Sequence, residues 1–149
     1  MAGSPVHHDV AACARAWQTL RMAHARVAER LEEDLERECG LALNEFDVLL
    51  YLRSHPDAET RISDLLNAVT LSQPALSRLV ARLEARGLVV RSEAHHDARA
   101  TAVCLTDAGA ELIDRAIEVH AAAVHETLTG KLSDAEQAAL LQLLSQIGA

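Results

Sequence analysis

Apolar side chains recur at steps of three and four residues through the first quarter of the chain. Between residues 10 and 38 this stripe comprises Val10, Ala14, Trp17, Leu20, His24, Val27, Leu31 and Leu35. Such spacing places all of these side chains on one side of an α-helix. We therefore predict one long helix over 10–38 with a single buried stripe, closed by Gly40 in the left-handed conformation.

Three shorter helices follow, separated by residues that favour turns. Asn44 is a good N-cap for a second helix that runs toward His55-Pro56, and residues 55–60 are predicted to form a loop. A third helix is expected near 61–68. Ser72 then caps a fourth helix, which ends at Gly87.

The pattern changes period after this fourth helix. Two runs rich in β-branched residues, near 88–92 and 101–105, flank a polar tip and predict a hairpin. Thr106 then caps a long helix. A capping box at 133–136, "SDAE", opens the last helix, whose predicted buried side chains are Leu140, Leu144 and Ile147.

The resulting order is four helices, a hairpin and two more helices. A short helix, a tight turn, a second helix and a two-stranded hairpin form the layout of a winged helix-turn-helix. The predicted fold is thus mainly α with a small β-hairpin wing and six helices in all. The long first and last helices lie outside that module, so they need another surface to cover.

The fourth helix has two contrasting sides. One carries the apolar residues Leu76, Leu79, Val80 and Leu83. The other carries Pro74, Ser77, Arg78, Ala81 and Ala85, with Arg82 at its edge. Small side chains would let the helix lie deep in a DNA major groove, where Arg78 could bind guanine or a phosphate and Arg82 the phosphate backbone. The alternative is an alanine-rich solvated surface with isolated arginines.

Charge supports the first interpretation. The formal net charge of the chain is −8, but residues 72–99 contain five arginines against three acidic residues. Arg99 and His95-His96 lie at the hairpin tip, where a wing would reach an adjacent minor groove. Asp97 could brace the guanidinium of Arg99.

Residues 62–109 resemble the DNA-binding lobe of the MarR family of bacterial transcriptional regulators. The matching elements are Leu71-Ser72, "LVARL" over 79–83, "EARGLV" over 84–89, the Asp-x-Arg of Asp97 and Arg99, and "LTDAG" over 105–109. The length and element order of the whole chain match as well. One departure is His95-His96, where many members have a Pro-Asp-type turn.

The resemblance implies a single domain over 1–149, with a winged helix-turn-helix lobe over 43–105 and dimerisation helices over 8–40 and 106–149. It implies a homodimeric repressor that binds a pseudo-palindromic duplex and is released by a small-molecule effector. DNA contacts would come from Ser72, Gln73, Pro74, Ser77, Arg78, Arg82, Asp97 and Arg99.

An effector site is a second candidate. Trp17 and His24 share the apolar stripe of the first helix and Arg21 lies beside them, so together they could hold a small aromatic or anionic molecule. The alternative is a core tryptophan and an interface histidine.

Oxidation of a cysteine is another possible signal, and would make the chain a redox-sensing regulator of the same fold. Cys13 lies in the first turns of a helix, whereas Cys104 is expected in the core. The three cysteines, Cys13, Cys39 and Cys104, show no CxxC spacing, which argues against a disulfide framework. With no export signal or membrane span in the sequence, we expect a cytoplasmic protein.

The remaining chemistry is sparse. Among the eight histidines, His120 and His125 are too far apart around a helix to ligate one ion, so neither a metal site nor a cofactor is expected. No phosphate loop, nucleophile elbow or HExxH motif predicts an enzyme. A winged-helix protein-interaction module that does not bind DNA remains the alternative from another class.

Overall fold

The computed structural model of the chain describes residues 9–56, 59–94 and 97–147, without the side chains of residue 94 and residues 97–100. Within these ranges, six helices and three strands run in the order α1 (Val10–Cys39), α2 (Leu43–Ser54), β1 (Thr60–Arg61), α3 (Ile62–Ala68), α4 (Gln73–Ala85), β2 (Val89–Ala94), β3 (Asp97–Leu105), α5 (Asp107–Thr127) and α6 (Asp134–Ile147). A 3₁₀ turn, which the sequence did not predict, spans Thr129–Lys131. Every helix in these ranges is too short or too polar to span a lipid bilayer.

The first helix has the predicted extent. Its N-cap is Asp9, whose carboxylate accepts a hydrogen bond from the Ala12 amide at 3.1 Å. Gly40 ends it with φ 62° and ψ 34°, the left-handed conformation that glycine adopts without a steric penalty. In the single chain only the last part of the predicted stripe, including Leu31 and Leu35, is buried.

The prediction for the start of α2 is wrong by two residues. Ala42 is the N-cap and Asn44 lies inside the first turn. The carboxylate of Glu45 accepts a hydrogen bond from the Ala42 amide at 3.2 Å, so a side chain from within the helix replaces the expected cap. The amide of Leu43 donates to Glu32 of α1 at 2.9 Å, which ties the two helices together.

In the described structure, the sheet has three strands instead of the two expected. Strand β1 falls where part of the loop was predicted, with Thr60 opposite Val103 and Arg61 opposite Ala102 in antiparallel register. The strand order is β1-β3-β2, so the hairpin is joined to the start of α3. Both hairpin strands are also longer than predicted, and only residues 95–96 separate them.

The core lies between the hairpin, α5 and the three short helices. Its largest fully buried side chains include Phe46 of α2, Leu65 of α3, Leu79 and Leu83 of α4, and Ile113 of α5. Burying such side chains stabilises the fold by about 1.5–3 kcal/mol each. The core therefore fixes α4 against the hairpin and leaves the opposite side of α4 exposed.

Gly109 in the first turn of α5 is where this helix meets the start of β2. A Cβ added there would collide with the backbone carbonyl of Leu88 and press on the side chain of Leu105. Backbone atoms at this point can yield only by moving the hairpin, so we expect Gly109→Ala to lower the free energy of unfolding by about 3 kcal/mol. Urea titration followed by circular dichroism measures this change.

A neighbouring substitution provides the control. Ala108 is exposed one residue earlier in the same turn. Ala108→Ser should therefore leave the free energy of unfolding within about 0.5 kcal/mol of the parent. Equal stability of the Gly109→Ala variant and the parent would show that α5 does not approach β2 this closely.

The last helix begins as predicted but is not buried. The Ser133 amide donates to Glu136 at 2.8 Å and the Glu136 amide donates to Ser133 Oγ at 3.4 Å, which confirms the capping box. Within the described chain, α6 has no buried residue. The expectation that Leu140, Leu144 and Ile147 are buried is wrong for the single chain, where Leu140 is half-buried and Ile147 is 71% exposed.

Candidate nucleic-acid interface

Helix α4 starts where the sequence predicted. Ser72 is its N-cap, and the Ala75 amide donates to Ser72 Oγ at 3.4 Å. Pro74 occupies the first turn, where a missing amide proton costs no helical hydrogen bond. The apolar side is fully buried through Leu76, Leu79, Val80 and Leu83.

The opposite side of α4 faces outward. The exposed residues on this surface are Gln73, Pro74, Arg78, Ala81 and Ala85, and Ser77 is half-buried beside them. In the described part of the chain, Arg78 makes no ion pair. Its five N–H donors are consequently available, and the small neighbouring side chains leave the helix backbone approachable.

The C-terminal half of α4 is bound to the junction between α1 and α2 by a buried carboxylate. Glu45 lies 3.1 Å from Arg86 Nη1 and 3.7 Å from Arg82 Nε. Arg86 also donates through Nη2 to the carbonyl of Gly40 at 2.9 Å. Arg82, predicted as a phosphate contact, therefore faces Glu45 at one side while its side chain stays 56% exposed.

A second ion pair sets the hairpin against α4. Arg91 of β2 approaches Glu84 to 2.6 Å, and its backbone amide donates to the same carboxylate at 3.2 Å. The hydrogen bond from the guanidinium is the main reason that the pKa of Glu84 lies below its ordinary value. Arg91 is therefore engaged within the chain, unlike Arg78.

The wing residues fall at the margin of the described structure. The backbones of Asp97 and Arg99 belong to β3, but their side chains lie outside the described part. The expected bracing of Arg99 by Asp97 stays a prediction, and His95-His96 also lie outside the described residues.

The three candidate effector residues are on the surface of the single chain. Trp17 is 65% exposed, and Arg21 and His24 are exposed as well. The expected burial of Trp17 and His24 in one stripe is thus wrong for the single chain. The helical spacing still sets them on adjoining positions of one side of α1.

The cysteines divide differently from the prediction. Cys13 is exposed, Cys39 is buried and Cys104 is exposed. The expectation of a core position for Cys104 is wrong. Its neighbour Val103 is buried, whereas Cys104 pairs with the exposed Val90 of β2 and is itself exposed.

A stacked pair joins α2 to α5. The rings of Phe46 and His120 lie 4.6 Å apart and nearly parallel. Desolvation lowers the pKa of His120, opposed by the nearby Asp47, whose own pKa is raised by burial. Among the described residues no group of three or more His, Cys, Asp or Glu side chains could hold a metal ion.

The structure also brings together a group that sequence reasoning missed. An open groove of about 410 Å³ between α3, α4 and β3 is lined by Arg61, Ile62, Ser63, Leu66, Gln73, Ser77 and Thr101. Two of these residues, Gln73 and Ser77, were predicted to contact DNA. The arginine gave no signal in the sequence because its neighbours come from three separate segments.

The fold and the exposed side of α4 define a winged-helix protein of the DNA-binding class. Residues 40–100 match a model of the MarR family. The chain is 34% identical over 103 residues to the transcriptional repressor NicR of Pseudomonas putida. This match covers 69% of this chain and 63% of NicR. We conclude that the chain belongs to the MarR family of transcriptional regulators.

Two solved structures agree with this assignment. The MarR-family regulator Sco3205 of Streptomyces coelicolor, solved in complex with DNA, is 26% identical, with a TM-score of 0.83 and coverage of 89% of this chain and 86% of that one. BpsR of Bordetella bronchiseptica, whose DNA binding is regulated by 6-hydroxynicotinic acid, is 25% identical, with a TM-score of 0.79 and coverage of 91% and 99%. The predicted winged helix-turn-helix with six helices is thereby confirmed.

Proposed function

We propose that the protein is a homodimeric repressor that binds a pseudo-palindromic duplex through α4 and is released by a small aromatic or anionic effector. The observation that carries this proposal is the outward side of α4, where Arg78 is exposed among small residues and makes no ion pair in the described chain. An arginine with its donors unengaged on a slim helix suits the major groove.

The proposed contacts divide by groove. On α4, Ser72, Gln73, Pro74, Ser77, Arg78 and Arg82 would contact the major groove and its bordering phosphates. In the wing, Asp97 and Arg99 would act at the adjacent minor groove. We assign these roles to a DNA-binding lobe over 43–105.

The exposed apolar residues support assembly with a second copy. Of the large hydrophobic side chains exposed in the described chain, nearly all lie in the first half of α1 or in α6: Val10, Trp17, Leu20, Met22, Leu141, Leu143, Leu144 and Ile147. A helix with such a surface is poorly stable alone in water. Because α1 and α6 both expose these apolar side chains, residues 8–40 and 106–149 would interlock with the same segments of a partner.

Selection from a library of random duplexes by the full chain tests the function. We expect enrichment of an inverted repeat, and an affinity for it that falls with salt at a log–log slope of about −0.9 for each phosphate neutralised. No enrichment together with an affinity indifferent to salt would contradict DNA binding and favour a protein-interaction module.

Effector release has a built-in optical signal, because Trp17 is the sole tryptophan of the chain. If Trp17, Arg21 and His24 form the site, an aromatic carboxylate should change the tryptophan fluorescence over the same concentration range in which it releases DNA. We expect 6-hydroxynicotinic acid, chosen as a probe because it regulates BpsR, to do both.

Arg21 provides the discriminating variant. Arg21→Gln removes the charge that would pair with a carboxylate but keeps a long polar side chain, so it should weaken the response about tenfold or more while leaving DNA binding intact. Release of DNA by the probe with unchanged fluorescence, and at the same concentration in Arg21→Gln, would place the effector elsewhere.

A further inference from the structure

Arg61 occupies a helix N-cap, a position at which arginine is not a favoured residue. It is the N-cap of α3, where serine, threonine, aspartate and asparagine are favoured because they accept hydrogen bonds from the first amides. A guanidinium has no acceptor, and Arg61 makes no such side-chain hydrogen bond. Only its backbone takes part, through an amide that donates to Asp64 at 2.8 Å.

The side chain of Arg61 is half-buried, and no acidic side chain in the described ranges pairs with it. It lines the groove between α3, α4 and β3 that also holds Gln73, Ser77 and Thr101. No ion pair of Arg61 occurs within the described residues. Within the described part of the chain, this partly desolvated cation lies among hydroxyls and an amide and has no anion to offset its burial.

The location of this groove between α4 and the wing strand indicates which anion could bind there. One side carries Gln73 and Ser77 of α4, and the other carries Thr101 of the wing strand β3. With α4 in a major groove and the wing in the adjacent minor groove, the protein must straddle the phosphate backbone that separates them. The groove between those two elements faces that backbone.

We infer that Arg61 binds a DNA phosphate at the backbone between the major and minor grooves, with Ser77 and Thr101 beside it. This inference rests on the proposed function and adds a contact that lies outside α4 and the wing tip. The contact is independent of base sequence, since it involves a phosphate only.

Arg61→Ser tests the inference while protecting the fold. Serine supplies the acceptor that the N-cap lacks, so the variant should unfold at the same temperature as the parent or higher. On the duplex selected by the parent chain, we expect about tenfold weaker binding and a salt slope shallower by about 0.9 for each bound subunit. The preference among duplexes with single base changes should not alter.

Two comparisons separate the outcomes. Arg61→Lys keeps the charge and should retain most of the salt slope, whereas Arg115→Ser removes an exposed arginine of α5 and should bind as the parent does. Parent-like affinity and slope in Arg61→Ser, with the parent binding its duplex normally, would overturn this inference alone. Failure of the parent to bind any duplex would overturn the proposed function and the inference with it.

Discussion

Arg78→Ala is expected to weaken binding to the selected duplex about a hundredfold or more. A bidentate contact from arginine to guanine contributes roughly 1–3 kcal/mol, and the symmetric assembly would lose it at both half-sites. Discrimination at the contacted base pair should relax at the same time. Fluorescence anisotropy with the selected duplex and its single-base variants measures both effects.

The Arg78→Ala substitution should not change the stability of the folded chain. Arg78 is exposed and makes no ion pair in the described part of the chain, so the variant should unfold at the temperature of the parent. Arg115→Ala, which removes an exposed arginine of α5, is the control for lost charge. If Arg78→Ala and Arg115→Ala bind equally well, α4 does not read the DNA.

Acidic residues on the apolar side of α6 are expected to separate the proposed dimer. Leu144 and Ile147 are exposed in the single chain at 42% and 71%, so Leu144→Asp with Ile147→Asp should not disturb the core of one subunit. In a dimer the same positions would be desolvated, and buried carboxylates without partners are costly. Sedimentation should find single chains in place of dimers.

Loss of the dimer should also be visible on DNA. Two linked half-site contacts exceed one by roughly 10²–10⁴ in affinity, so the double variant should bind the inverted repeat that much more weakly. Gln142→Asp with Gln146→Asp adds the same charge to exposed polar positions of α6 and should remain dimeric. A parent chain that sediments as a single chain would contradict the dimer outright.

Local signals in the sequence located most ends of helices correctly. Gly40, Ser72, Thr106 and the capping box at 133–136 all act as predicted, because a cap depends on residues within one turn of it. The prediction of Asn44 as an N-cap also relied on a local signal, and it was wrong. The helix starts two residues before Asn44, at the N-cap Ala42, whose amide donates a hydrogen bond to the carboxylate of Glu45.

Burial was harder to predict than periodicity. The spacing of Trp17 and Leu144 correctly placed them on apolar sides of helices. Spacing does not reveal what covers such a side, and in the single chain both residues remain exposed. Cys104 shows the opposite case. Its run of apolar neighbours suggested the core, whereas Cys104 is exposed where it pairs with the exposed Val90.

The spacing of apolar residues along the sequence could not predict contacts between distant segments. Strand β1 has two residues and exists only through its pairing with β3, some forty positions later in the chain. Arg61 sits in this strand and reaches its groove through the same pairing. Neither the strand nor the position of Arg61 beside Gln73 and Ser77 could be deduced from residues that adjoin them in sequence.

Hydroxyl-radical and methylation footprinting of the selected duplex would show whether two copies of α4 bind it. If two copies of α4 enter successive major grooves, guanines should be protected in two patches about one helical turn, ~10 bp, apart, and both patches should disappear with Arg78→Ala. A single protected patch, or protection that persists in the Arg78→Ala complex, would contradict recognition by paired α4 helices.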